Sequence, residues 1–176
     1  LYDFRLTNMI GFFDSWFGWL QTMKYFHDLY PEYDSLFLAD NKNCPFGRKS
    51  GEEIQQITFD ALNRFFDNWV EIVIIACNTA AAYSIRKRQT LYPNKKTLSI
   101  TIPWIEEILS SENNGLSVGI IATQATIASD IYNDLYYRFG GTGAPDFHFV
   151  MAPKLVDMVE SWANEELIVT TIKEYL

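Results

Sequence analysis

Cysteine, histidine and basic charge are scarce in this chain, and each shortage narrows its chemistry. Its 176 residues hold two cysteines, Cys44 and Cys77, and two histidines, His27 and His148, far apart in sequence. No His/Cys/Asp cluster has metal-ligand spacing, so no metal is expected. Fourteen Lys and Arg stand against 22 Asp and Glu, a formal charge of −8 that argues against nucleic-acid or anionic-membrane partners. No Gly-rich phosphate loop appears, which lowers the nucleotide-binding classes. No apolar run is long enough to span a bilayer, and no secretory signal opens the chain. The two cysteines are therefore read as free thiols in a reducing cytoplasm. Glycine is also short: nine residues, against about 7% in average proteins.

What is present is an ordinary globular composition, 48% hydrophobic and 20% charged, enough for one good-sized domain or two small ones. Strand-like and helix-like segments alternate throughout, the pattern of an α/β fold with parallel sheets. Strands are expected at 9–13, 35–39, 71–76, 97–102, 116–122 and 147–151. Helices are expected at 20–29, from Ser50 to about Asp67, at 80–88, from Pro103 to about Ser110, and at 127–139, 154–161 and 164–175. Ser50 with Glu53 three residues on is a capping-box signature. A boundary near Pro103 divides the chain into two Rossmann-like lobes, 9–103 and 104–176. The 23 Phe and Tyr side chains read as core packing. His27, beside Phe26 on an amphipathic segment, reads as a surface or structural histidine.

The chain is organised around residues 72–82. Ile72-Val73-Ile74-Ile75 reads as a strand buried on both faces. Cys77 follows it, then Asn78-Thr79 and a run of small helix formers. A thiol between the carboxyl end of a parallel strand and a helix start lies where open α/β sheets bind ligands. The helix amino terminus should favour thiolate over thiol. The plainer reading, a cysteine that is merely a small buried hydrophobe, stands beside it. Three strand ends, at Asp14, Cys77 and Thr123, are expected to converge on a cleft between the lobes.

Four motifs occur in order: Asp14-Ser15; Asp40…Cys44-Pro45-Phe46-Gly47; Ala76-Cys77-Asn78-Thr79-Ala80; and Ala122-Thr123-Gln124-Ala125-Thr126. Together they resemble glutamate racemase, of the cofactor-independent aspartate/glutamate racemase superfamily, and the resemblance runs from Met9 onward. It implies interconversion of L- and D-glutamate for peptidoglycan synthesis, by two cysteines on opposite faces of the substrate. It implies no pyridoxal phosphate or other cofactor, a small-molecule substrate, and a homodimer as the protein partner to consider. Carried over by motif, Cys77 matches the first catalytic cysteine, and Asp14 and Ser15 the pair beside it. The aspartate would assist proton movement or hold the ammonium. Asn78 and Thr79 match substrate-holding residues, and Thr123 and Thr126 match threonines near the substrate carboxylates. Phe46-Gly47 matches a Tyr-Gly contact, with the hydroxyl absent here. Asp14, Thr123 and Thr126 also have a plainer reading as helix caps, and Cys44 reads as a bystander.

The family's second catalytic cysteine lies in a Gly-Cys-Thr-His motif that this sequence does not contain, so the expected site is half of a two-base pair. Residues 1–8 read as an upstream extension before Met9, and the chain as a C-terminally shortened racemase without activity of its own. The rival readings are an aspartate racemase of the same superfamily and a non-catalytic binding remnant.

Five tryptophans stand where chain punctuation favours glycine: Trp16, Trp19, Trp69, Trp104 and Trp162. In the family that the chain resembles, these positions are habitual or expected glycines. The expectation is a gene that uses UGA for glycine, translated with a table reading tryptophan. If genuine, indoles at 16 and 19 would crowd the pocket. With all five counted as glycine, the shortage of that residue disappears.

Overall fold

In the computed structural model, which describes residues 9–16, 18, 20–110 and 116–175, the expected α/β alternation holds. A four-stranded parallel sheet is built from β1 (Met9–Asp14), β2 (Asp34–Ala39), β3 (Ile72–Ile75) and β4 (Lys96–Ser99). Its order is β2-β1-β3-β4, with Phe12 opposite Ile74 and Phe13 opposite Ile75. A second parallel pair joins β5 (Val118–Ala122) to β6 (Phe147–Met151). The described residues form eight helices, the last two after β6: α1 (Leu20–Leu29), α2 (Gly51–Asp67), α3 (Asn78–Leu91), α4 (Thr101–Ile108), α5 (Gln124–Ala128), α6 (Ile131–Arg138), α7 (Pro153–Glu160) and α8 (Glu165–Tyr175). A single turn of 3-10 helix spans Phe46–Arg48. The expected extension at 1–8 lies outside the described residues.

One face of the first sheet carries the main core. Val73 and Ile75 of β3 pack there with Phe13 of β1 and Ile54, Leu62 and Phe65 of α2. The hydroxyls of Thr97 and Ser99, level with Val73 and Ile75, are buried on that same face. The opposite face is thinner. Phe12 meets Phe26 of α1 edge-on at 5.4 Å, but Ile72 and Ile74 are only partly covered and Leu98 is 53% exposed. The expectation of a strand buried on both faces is corrected to one buried face, because α1 covers β1 and not β3–β4.

Helix α3 joins the two halves. Ala80 and Ala81 belong to the first core, while Ala82 packs in a second with Ile105, Ile131 and Leu135. Small side chains let the helix pack closely on more than one side, which is why the segment shows no clean amphipathic stripe. At its start, α2 has the expected capping box: Ser50 Oγ accepts from Glu53 N–H, and the Glu53 carboxylate accepts from Ser50 N–H.

Two boundaries differ from expectation. The segment 97–102 is strand only to Ser99, and Pro103 lies in the first turn of α4, where its missing N–H has no helical partner to lose. The single helix expected over 127–139 is two. Asp130 takes a left-handed conformation (φ 58°) between α5 and α6, and Ser129 Oγ receives the Ile131 N–H at 3.3 Å. Asp is among the few residues that tolerate this conformation.

Candidate active site

The carboxyl ends of β1, β3 and β5 open on one cleft of about 440 Å³. Asp14, Ser15, Phe46, Gly47, Cys77, Asn78, Thr79 and Thr123 all line it, as do Trp16, Gly18 and Ala76. The three strand ends expected to converge therefore do so. Thr126 is fully buried and borders a smaller adjoining cavity instead.

Cys77 is positioned by the helix it starts. As N-cap of α3, its Sγ accepts the Ala80 N–H at 3.4 Å. The thiol donates to Ser15 Oγ, also at 3.4 Å. Asp14, the last residue of β1, lies well before α1, which begins only at Leu20. Its carboxylate instead accepts the Ser15 N–H at 2.7 Å and the backbone N–H of residue 16, and it contacts the Cys77 thiol.

Burial dominates the electrostatics. Asp14 is driven up to about 6, mainly by desolvation, with the two backbone N–H groups and the thiol opposing the shift. Cys77 is pushed up to about 11, first by burial and then by the Asp14 carboxylate. The Ala80 N–H and the Ser15 contacts lower it only partly. The expectation that the helix start would favour thiolate is thus corrected. A helix terminus is worth about 0.3–2 kcal/mol to a charge, less than it costs to ionise a thiol shut from water beside an anion.

Thr79, Thr123 and Thr126 bring three hydroxyls into a triangle with edges of 3.0, 3.0 and 2.9 Å. Thr123 is also the N-cap of α5, accepting the Thr126 N–H at 3.2 Å. Its plainer reading as a cap is therefore present in the structure, alongside its place on the cleft wall. The triangle ties the start of α3 to the start of α5, and Tyr83 Oη reinforces it by donating to Ala125 O at 2.9 Å. Gly47 packs so tightly on the same corner that a Cβ there would lie 2.8 Å from Thr123 Cβ. Phe46 is buried against Phe13, with ring centroids 6.3 Å apart.

Leu155, Val156 and Val159 of α7 close the far side of the cleft. Sequence reading missed them, although a helix was expected there. The usable signal was topological: α7 follows β6 as α3 follows β3, so its first turns also stand at the carboxyl end of a parallel sheet. Arg48 of the 3-10 turn pairs with Asp157 of α7, both lining a neighbouring cavity. Cys44 is part-buried, forms no disulfide and does not line the cleft; His27 is exposed on α1. No group of His, Cys, Asp and Glu among the described residues is arranged to hold a metal, and no described helix is long and apolar enough to cross a membrane.

No family model matches the chain. It is 30% identical over 168 residues to a glutamate racemase of Aquifex aeolicus and 32% identical over 169 residues to one of Acidothermus cellulolyticus. These alignments cover 95% of the chain but only 64% and 62% of the two relatives. Among solved structures, it is similar to a glutamate racemase of Francisella tularensis in complex with D-glutamate. That likeness has a TM-score of 0.82 and 27% identity, over 95% of this chain and 62% of the other. A Campylobacter jejuni glutamate racemase gives a TM-score of 0.81 at 25% identity, over 95% and 66%.

Proposed function

We infer the activity from descent and geometry together: the chain is a homologue of glutamate racemases, and we propose that it carries the Cys77 half of a cofactor-independent racemase acting on glutamate. The observation that carries this reading is the Asp14–Ser15–Cys77 cluster at adjoining strand ends, open to a cleft of amino-acid size. The chain spans about 62% to 64% of the two curated relatives, and on this reading its residues supply one face of the site. The same reading divides the chain near Pro103 into a lobe built on the first sheet and a lobe built on β5–β6.

Racemisation breaks the α-C–H bond on one face and forms it on the other. By itself Cys77 keeps its proton, because thiolate would be buried beside an anion. The α-ammonium of an entering amino acid changes that balance. It supplies the positive charge that the buried pair lacks, offsetting Asp14 and lowering the cost of thiolate. Asp14, near neutrality and touching the thiol, is suited to take the thiol proton and return it. Thiolate then accepts the α-proton, and the C–H electron pair is delocalised into the substrate carboxylate. Asn78, the unpaired N–H groups at the start of α3 and the hydroxyls of Thr79 and Thr123 are the donors available to that developing charge. Thr126, buried behind them, holds the other two hydroxyls in place.

No second thiol lines the cleft among the described residues, and inversion needs an acid on the opposite face. The chain alone is therefore expected to bind glutamate without inverting it. The test follows the optical rotation of L-glutamate with the native reading frame that contains these residues. Conversion to D-glutamate, lost in Cys77→Ala and absent with L-aspartate, supports the reading. Conversion that persists in Cys77→Ala, or that runs on aspartate and not glutamate, overturns it. D-glutamate formed by the 176-residue chain alone would overturn the one-face assignment.

A further inference from the structure

Three helices end in the same hydrogen-bonded turn, and the residue at its pivot differs among them. At the end of α6, Gly140 has φ 97°, its N–H bonds Tyr137 O at 3.3 Å, and the Gly141 N–H reaches back to Tyr136 O at 2.9 Å. At the end of α2, the pivot is Trp69, with φ 65°. Its N–H bonds Phe66 O at 3.2 Å, and the Val70 N–H reaches Phe65 O at 3.1 Å. At the end of α7 it is Trp162, φ 56°, bonded to Val159 O at 3.2 Å, with Ala163 N–H on Met158 O at 2.9 Å. All three are Schellman turns, whose pivot lies in the left-handed region and is usually glycine.

A bulky aromatic residue at positive φ is a genuine outlier, and it needs compensating packing to persist. Here there is little: Trp69 is 62% exposed and Trp162 is 86% exposed. The one other described non-glycine residue at positive φ is Asp130, a residue type that tolerates it. Two independent helix ends thus demand glycine and hold tryptophan, and the two amino acids are one reassigned stop codon apart.

We infer that the polypeptide made in the source cell carries glycine at positions 69 and 162, encoded by UGA, and by the same codon at position 16, where it opens the cleft. Residue 16 serves the site through its backbone N–H, which Asp14 accepts and which glycine retains. Trp16 is one of the residues that line the cleft, where glycine would leave more room. Of the other two tryptophans, Trp104 lies inside α4 with helical geometry and Trp19 lies outside the described residues. Those two, like residue 16, follow from the codon and not from the backbone. The consequence at residue 16 rests on the cleft being the active site; the two helix ends do not.

The test has three arms, none of which requires racemase activity. In the native gene, codons 16, 69 and 162 should read UGA; UGG at 69 or 162 overturns the inference. In calorimetry of the whole chain, Trp69→Gly and Trp162→Gly should each raise the unfolding temperature by about 2–4 °C, and Trp69→Ala and Trp162→Ala by less. Alanine removes the indole but keeps the left-handed strain, so alanine variants that match or exceed the glycine variants overturn it. In Trp16→Gly, alkylation of Cys77 by iodoacetamide, followed by peptide mass, should be several-fold faster. An unchanged rate overturns the assignment at residue 16.

Discussion

At the scale of single residues, the candidate site is a place where stability is given up. An Asp14 carboxylate held at about 6 in the folded chain, against 3.8 when free, binds more protons folded than unfolded between those values. Folding stability therefore falls as pH rises from about 4 to 6 and stays reduced above it, by roughly 3 kcal/mol at neutral pH. Asparagine keeps an oxygen for the Ser15 and residue-16 N–H groups and has no charge to desolvate. Asp14→Asn is expected to raise the unfolding free energy by about 1–3 kcal/mol at pH 7, with little effect at pH 4, while abolishing racemisation by the whole protein. Urea denaturation of both forms across that range is the measurement. A variant less stable than the parent at pH 7 would show that the carboxylate's bonds outweigh its burial. The thiol adds a second, alkaline limb: with its folded value near 11 against 9.0, stability is lost as pH rises above about 9.

At the scale of elements, the 3-10 turn and α5 meet through the bare Cα of Gly47, and this contact helps to set the distance between Thr123 and Cys77. Gly47→Ala places a methyl group 2.8 Å from Thr123 Cβ, backbone-proximal atoms that cannot swing aside. A loss of about 1–3 kcal/mol is expected from overpacking, together with a weakened threonine triangle. Thermal denaturation checks the first, and glutamate affinity the second. A variant as stable and as tight as the parent would show that the two elements slide freely. Much at this scale was legible in the sequence, because strong local signals agreed with the tertiary outcome. Ser50 and Glu53 marked the start of α2, and the aliphatic run before Cys77 marked β3 and its carboxyl end. Other features depend on partners that no local pattern names. The second face of β3 is only partly covered, Asp130 interrupts the expected helix through a left-handed conformation, and Leu155, Val156 and Val159 reach the cleft only through packing. The thiol's direction of shift was misread for a related reason. The helix start is visible in sequence, whereas the depth of burial beside Asp14 is not.

At the scale of the molecule, the two sheets are unequal. The first has four strands and a continuous core running through α2 and α3, whereas the second has two strands, and the buried cluster beside it holds Ile131 and Leu135 of α6, Ile105 of α4 and Ala82 of α3. Two strands rarely hold without further strands or a covering layer. Here the uncovered flank of β5 leaves Leu116 and Ile121 exposed beside a cavity of about 480 Å³ that also borders Trp104 and Tyr132. Local opening follows local burial, so amides of the second sheet should open without unfolding the first. In hydrogen exchange of the 176-residue chain, the amides of β5 and β6 are expected to exchange at least about tenfold faster than those of β1 and β3, a local stability gap of about 1.4 kcal/mol or more. On the proposed reading, which puts glutamate between Thr123 and Cys77, saturating glutamate should narrow that gap, because a ligand that binds only the formed cleft stabilises whatever must be ordered to form it. Equal protection in the two sheets would mean that α3 and the threonine triangle already couple them into one cooperative unit.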